Sequence, residues 1–134
     1  MMLQGSCLCG AVRYEVREAP RTMYVCHCGM CRKASGSAFA ANMLVARSGF
    51  AVVAGQSLLK GYPSSPGEQR HFCTQCGSPV YSQSDLRPEV VSVRCGTLDD
   101  DPGIEPSEHI YVDSKAPWFT IRDTARQFAG APGR

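Results

Sequence analysis

Residues 5–16 read Gly5-Ser6-Cys7-Leu8-Cys9-Gly10-Ala11-Val12-Arg13-Tyr14-Glu15-Val16, a cysteine pair that runs straight into an alternating segment. In its second half, Val12, Tyr14 and Val16 share one face and Arg13 and Glu15 the other, the period-two pattern of a half-buried strand. The first half is different in kind. Two thiols one residue apart, followed by a glycine, suit chelation better than core packing, and the partner of that chelate decides the fold.

Two further groups can supply it: Cys26-His27-Cys28-Gly29-Met30-Cys31 and Cys73-Thr74-Gln75-Cys76. In a Cys-x-x-Cys knuckle the chain turns so that both sulfurs face one ion, and a following glycine relaxes the turn. Cys76-Gly77 has that form and Cys9-Gly10 echoes it. Cys7 and Cys9 joined to Cys73 and Cys76 make four thiolates, a closed tetrahedral set of the structural kind. Such a tie closes a long loop and lets metal replace core area that a small domain lacks. Disulfides are the competing use of eight cysteines. The opening "MMLQGSC" has no apolar signal core, however, and the expected setting is cytoplasmic, where thiols stay reduced. Metal is the better account.

The middle group offers three cysteines in six residues. Cys28 and Cys31 stand three apart at a helix start and Cys26 precedes them on an extended segment, so three sulfurs converge with no obvious fourth ligand. That pattern describes an open, reactive zinc position. The alternative is a second closed site completed by a histidine, with His27 the nearest. Alternation along an extended segment turns His27 away from its flanking cysteines.

Around these groups the chain of 134 residues reads as one domain, residues 1–134, with 43% hydrophobic and 19% charged residues. Strand candidates are 11–16, 39–45, 50–53, 58–62 and 90–95, with shorter ones at 80–81 and 110–112. Turn-rich stretches at 48–50, 62–69 and 98–103 separate them. The one helix expected covers 28–35, ended by Gly36, and the segment 123–134 is expected to start helically and fray by Gly130. Many short strands with one small helix imply a mostly β fold of packed antiparallel sheets. The formal charge is +2, and seven lost thiol protons against two Zn²⁺ ions take it to −1. A near-neutral chain has no footprint for nucleic acid or anionic membrane, and no apolar stretch is long enough to span a bilayer.

The stretches "GSCLCGAVRYEV", "CHCGMCRKASGSAFA", "RHFCTQCGSPVY", "GTLDD" and "HIYVDSKAPWF" occur in order across residues 5–119. In this the chain resembles the glutathione-dependent formaldehyde-activating enzymes. The resemblance implies a zinc-stapled β-tent with two zinc ions: a structural one on Cys7, Cys9, Cys73 and Cys76, and a catalytic one on Cys26, Cys28 and Cys31. It also implies a carbon–sulfur lyase activity that joins glutathione to formaldehyde as S-hydroxymethylglutathione. Three thiolates give such a zinc a net charge of about −1, which makes it a poor generator of hydroxide and a natural partner for a soft substrate thiolate. The substrates implied are a small-molecule thiol, glutathione in the family, and an aldehyde.

Two other functions compete. A non-enzymatic zinc scaffold would need no open metal position. A methionine sulfoxide reductase-like redox enzyme would use Cys95, although Val91, Val93 and Cys95 share an apolar strand face that suits a core thiol. Arg32 and Lys33 could attract substrate carboxylates or be exposed helix charges. His71 and His109 are candidates for proton transfer, with structural hydrogen bonding as the plainer role. Trp118, between Pro117 and Phe119, is expected to pack in the core.

Overall fold

In the computed structural model, which describes residues 2–132, two sheets carry the chain. The smaller is antiparallel and joins β1 (Leu3–Ser6), β2 (Arg13–Val16) and β5 (Phe50–Ala54) in the order β1-β2-β5. The larger holds β3 (Thr22–Cys26), β4 (Ala40–Ala46), β6 (Leu59–Ser65), β7 (Glu68–Cys73), β8 (Pro79–Ser84), β9 (Val90–Arg94), β10 (Glu108–Ile110) and β11 (Arg126–Gln127). Their order is β11-β10-β3-β4-β9-β8-β7-β6, an open sheet and not a closed barrel. The one α-helix among the described residues, α1, runs Gly29–Ser35 between β3 and β4.

The period of two built into the strands sorts their side chains. Val12 leads into β2, where Tyr14 and Val16 all but vanish from solvent as the alternation requires. They meet Met43 and Val45 of β4 and Val91 and Val93 of β9 in the core between the sheets. The residues interleaved with these point the other way. Asn42 and Leu44 of β4 and Ser92 and Arg94 of β9 line a cleft on the far face of the larger sheet.

Besides the short β11, three strands were not foreseen. β1 is only four residues of mixed polarity, β3 ends inside a cysteine motif, and β7 ("EQRHFC") is too polar to stand out. The stretch 62–69 is mostly strand: β6 and β7 form a hairpin, with an irregularity between Pro63 and Ser65 and Gly67 left-handed at φ 77°. The strand expected at 110–112 sits two residues earlier, because Tyr111 at φ 55° leaves the ladder.

The larger sheet is also not wholly antiparallel. β10 runs parallel to both β3 and β11. The helical start expected from residue 123 is replaced by extended chain within the described residues, while residues 133–134 of that segment lie outside them. Tertiary pairing overrides the weak local helical signal there. Phe128 N–H donates to His109 O at 2.9 Å, Tyr111 N–H to Gly130 O at 2.9 Å, and Phe128 packs against the Cys26–Cys31 cluster.

Candidate functional site

The first cluster is built by two knuckles on opposite sheets. Cys7 and Cys9 follow β1, and Cys73 closes β7 with Cys76 in the turn beyond. Gly10 and Gly77 both sit at φ 78°, and the N–H of each reaches back to the carbonyl of Cys7 (3.0 Å) and Cys73 (2.7 Å). An added Cβ would meet nothing within 4 Å at either position, so glycine is needed there for its left-handed backbone and not for space. The four Sγ atoms all lie within 4.8 Å of one another. Cys7 and Cys9 are 3.6 Å apart and Cys9 and Cys73 3.9 Å. Four sulfurs at a zinc–sulfur length of ~2.3 Å in a tetrahedron are about 3.8 Å apart, so this donor set fits zinc. Val12 N–H and the Gln75 amide each donate to its sulfurs at 3.3 Å, to Cys7 and Cys9.

The second cluster forms where β3 hands over to α1. Cys28 is the helix N-cap and its Sγ accepts from Cys31 N–H at 3.3 Å, while Gly36 ends the helix in the left-handed region with its N–H on Arg32 O. The Sγ atoms of Cys26, Cys28 and Cys31 again lie within 4.8 Å of one another, and among the described residues no fourth cysteine, histidine or carboxylate joins them. These sulfurs hold their protons unequally. Hydrogen bonding to Cys28 and Cys31 pushes Cys26 up, and the bonds Cys28 accepts from Cys26 and Cys31 hold it far below the usual thiol range.

His27 lies between two of these ligands yet serves a different network. It is fully buried, and its Nε2 lies 2.8 Å from Nδ1 of His109. His109 Nε2 in turn contacts the Asp123 carboxylate at 3.0 Å. A carboxylate accepts, so His109 donates from Nε2 and accepts at Nδ1, and His27 donates from Nε2. The ring therefore faces away from the three sulfurs, as alternation required. Its Nδ1 is left buried with no partner among the described residues.

The three-cysteine cluster opens into a cleft of about 350 Å³. Arg70 of β7 borders both, with Nη1 and Nη2 each 3.7 Å from Cys31 Sγ. Burial alone would weaken its charge, but Cys31, with Glu68 and Cys28 behind it, outweighs that and holds the guanidinium pKa above its usual value. Arg94 is buried in the cleft floor, its Nη1 donating to Asn42 Oδ1 at 2.6 Å and to Ser82 Oγ at 3.4 Å. Glu68 and Arg87 complete the charged lining. None of these was singled out from the sequence. The signal was present in "VVSVR", where Ser92 and Arg94 interrupt the valines at period two. Arg70 carries no such mark.

The other candidates fall elsewhere. Arg32 donates to Ser114 O at 3.2 Å and, with Lys33, borders a separate shallow hollow. His71 stacks on Tyr81 with centroids 4.3 Å apart, and neither it nor His109 lines the cleft. Cys95 packs against the inter-sheet core, where burial pushes its thiol up to about 11, the opposite of a reactive redox cysteine. Trp118 does not pack in the core. It is 69% exposed, because Phe119 takes the inward position against Phe39 and His27.

Fold and site together define a mostly β protein with two thiol clusters able to hold metal, one closed by four sulfurs and one left at three beside a cleft. The model of the family described as "Glutathione-dependent formaldehyde-activating enzyme" matches residues 2–114. The chain belongs to that family. It is 35% identical to a protein of Halomonas elongata named "Putative glutathione-dependent formaldehyde-activating enzyme", over 98% of this chain and 90% of that one. A crystal structure of a Rhodobacter sphaeroides protein, 27% identical, shares its fold at a TM-score of 0.61, covering 77% of this chain and 91% of that chain. Among the described residues no helix is long and apolar enough to cross a membrane.

Proposed function

We propose that the chain is a zinc enzyme that joins a small thiol to an aldehyde, in the carbon–sulfur lyase class, with glutathione and formaldehyde as the substrates its family membership suggests. The observation that carries this reading is the three-sulfur cluster, short of a fourth donor among the described residues and opening into a cleft. Cys7, Cys9, Cys73 and Cys76 would hold a structural zinc, and Cys26, Cys28 and Cys31 a catalytic one. A zinc ion on three thiolates supplies a soft position that favours a substrate thiolate over hydroxide.

The chain's own residues then do the rest. Ile110 and Ala40 wall Cys26 and Cys31 on their apolar side, keeping water from that flank. His27, tied through His109 to Asp123, fixes the segment that carries Cys26 and Cys28. The arginines of the cleft orient substrate beside the cluster. In the reaction a sulfur–carbon bond forms, the carbonyl π bond gives its electrons to oxygen, and that oxygen gains the proton the thiol lost. The whole chain, residues 1–134, works as a single domain, and unpaired thiols in such number suit the reducing cytoplasm.

The test is the approach to equilibrium between ¹³C-formaldehyde and glutathione, followed by NMR with catalytic amounts of protein. Faster formation of the hydroxymethyl thioether carbon signal with wild type and none above background with Cys28→Ser supports the reading. No acceleration by fully zinc-loaded wild type would sink it.

A further inference from the structure

Among the described residues, Tyr111 is the one non-glycine with a left-handed backbone, at φ 55° and ψ 40°. A residue with a Cβ enters that region at a cost, and a bulky aromatic is an unusual choice for it. The turn is held from both sides. Tyr111 N–H donates to Gly130 O at 2.9 Å, and its carbonyl accepts from Ser114 N–H at 3.0 Å. The consequence is a change of face. Side chains alternate along β10, so Ile110 lines the cleft and packs against Cys26 and Cys31, while His109 turns the other way to meet His27. A continued strand would place residue 111 on the side of His109. The left-handed turn brings Tyr111 into the cleft beside Ile110, the residue in register with Cys26 across the β3–β10 pair.

The Tyr111 hydroxyl is also free. Tyr24 Oη is bonded to Ser92 Oγ at 2.9 Å, Ser82 Oγ accepts from Arg94, and Ser84 Oγ accepts from Leu86 N–H. Every other hydroxyl of the cleft lining therefore has a partner in the protein. Among the described residues Tyr111 Oη has none, and the residue is 38% exposed.

We infer that Tyr111 is a catalytic residue whose O–H donates to the aldehyde oxygen while the substrate sulfur bonds to the carbon. This rests on the thiol–aldehyde reaction proposed above and assigns the group that steadies its developing charge. As the sulfur–carbon bond forms, the carbonyl π electrons move to oxygen, which gathers negative charge. A donor already aimed at that oxygen stabilises the transition state more than the ground state. The phenol keeps its own proton. The oxygen takes one from solvent at the cleft mouth, matching the one the thiol released, and a half-exposed position suits that exchange. Arg70 does not compete for the oxygen, because both its terminal nitrogens are turned to Cys31 Sγ at 3.7 Å.

Two variants of the whole chain test this. Tyr111→Phe removes the hydroxyl alone, and Tyr111→Asn removes the ring with a residue that tolerates the left-handed turn. Rates with ¹³C-formaldehyde and glutathione on zinc-loaded protein give kcat and KM, and a glutathione titration of cobalt-substituted protein gives thiol binding apart from turnover. Tyr111→Phe should lower kcat by about ten- to a hundredfold, as loss of one partly exposed donor to a developing oxyanion does. Its thiol titration and zinc content should match wild type. Tyr111→Asn should lose as much rate and yet melt no lower than wild type, since it gives up strain held for the site. A Tyr111→Phe rate equal to wild type would overturn the inference and leave the thiol chemistry standing. Thiol binding that weakens in step with the rate would also overturn it, by making Tyr111 a thiol contact. A clearly lower melting temperature in Tyr111→Asn would overturn it too, by making the ring a support of the fold. Wild type that does not accelerate the reaction at all would sink both the inference and the reaction it rests on.

Discussion

Gly5 opposes Tyr14 across the β1–β2 ladder, and the Tyr14 ring lies over it. A Cβ built at Gly5 would stand 2.1 Å from Tyr14 Cζ and 2.2 Å from its Oη, a gap that must open to at least 3.0 Å. The ring has nowhere to go. It is 1% exposed, packs against Phe50 with centroids 5.4 Å apart, and is bonded through Oη to Thr97 Oγ1 at 2.6 Å. Gly5→Ala therefore overpacks the core, at a cost of about 1–3 kcal/mol. It also breaks the Thr97 bond, at about 0.5–1.5 kcal/mol, and recovers about 0.5–1 kcal/mol because alanine loses less backbone entropy than glycine. The net expected loss is about 2 kcal/mol. Urea unfolding of zinc-saturated protein measures it, in wild type and in Tyr14→Leu, which lacks the three offending ring atoms. In the Tyr14→Leu background the same substitution should cost nothing or stabilise slightly. An equal loss in both backgrounds would refute the steric argument.

The two clusters should fail differently. Cys73→Ser should leave the protein unfolded or insoluble, since a closed zinc site contributes on the order of 10 kcal/mol of folding energy, comparable to a domain's whole stability. Cys28→Ser should lose about one zinc per chain while the circular dichroism survives, and full thermal stability in Cys73→Ser would break the assignment. Asp123 gives a pH signature. The His109 hydrogen bond, then the Ala125 N–H, lowers its carboxyl pKa below 3.8, so its stabilisation is complete above that value and fades as pH falls through the lower folded value. The melting temperature of wild type should exceed that of Asp123→Asn near neutral pH and converge with it in acid; a gap that widens on acidification would reverse the sign.

The sequence spoke most clearly where one local rule decides the geometry. Val12, Tyr14 and Val16 were legible because alternation has one buried solution. The four- and three-cysteine groups were legible because chelate spacing survives any detail of the strands between them. The helix at Gly29–Ser35 was legible from its terminating glycine. What escaped depends on contacts far apart in the chain. β3 pairs with β10 from residue 108 onward, and the final segment is extended because Phe128 docks on the cysteine cluster. Trp118 and Phe119 could not be told apart by composition, and only packing turned one inward. Arg70 and Arg94 come from different strands, and nothing local to "EQRHFC" or "VVSVR" says that they meet over one cleft.

The central claim is that Cys26, Cys28 and Cys31 hold a metal with one position left for a substrate sulfur. Cobalt substitution reads this directly, since the visible bands report both the number of sulfurs and the geometry. With the four-cysteine site contributing a constant background, adding glutathione should shift the second cobalt's bands toward a four-sulfur pattern, and Cys28→Ser should abolish the shift. A spectrum that already shows four protein ligands at both sites, and that no thiol alters, would contradict the account and leave a scaffold with two structural metals.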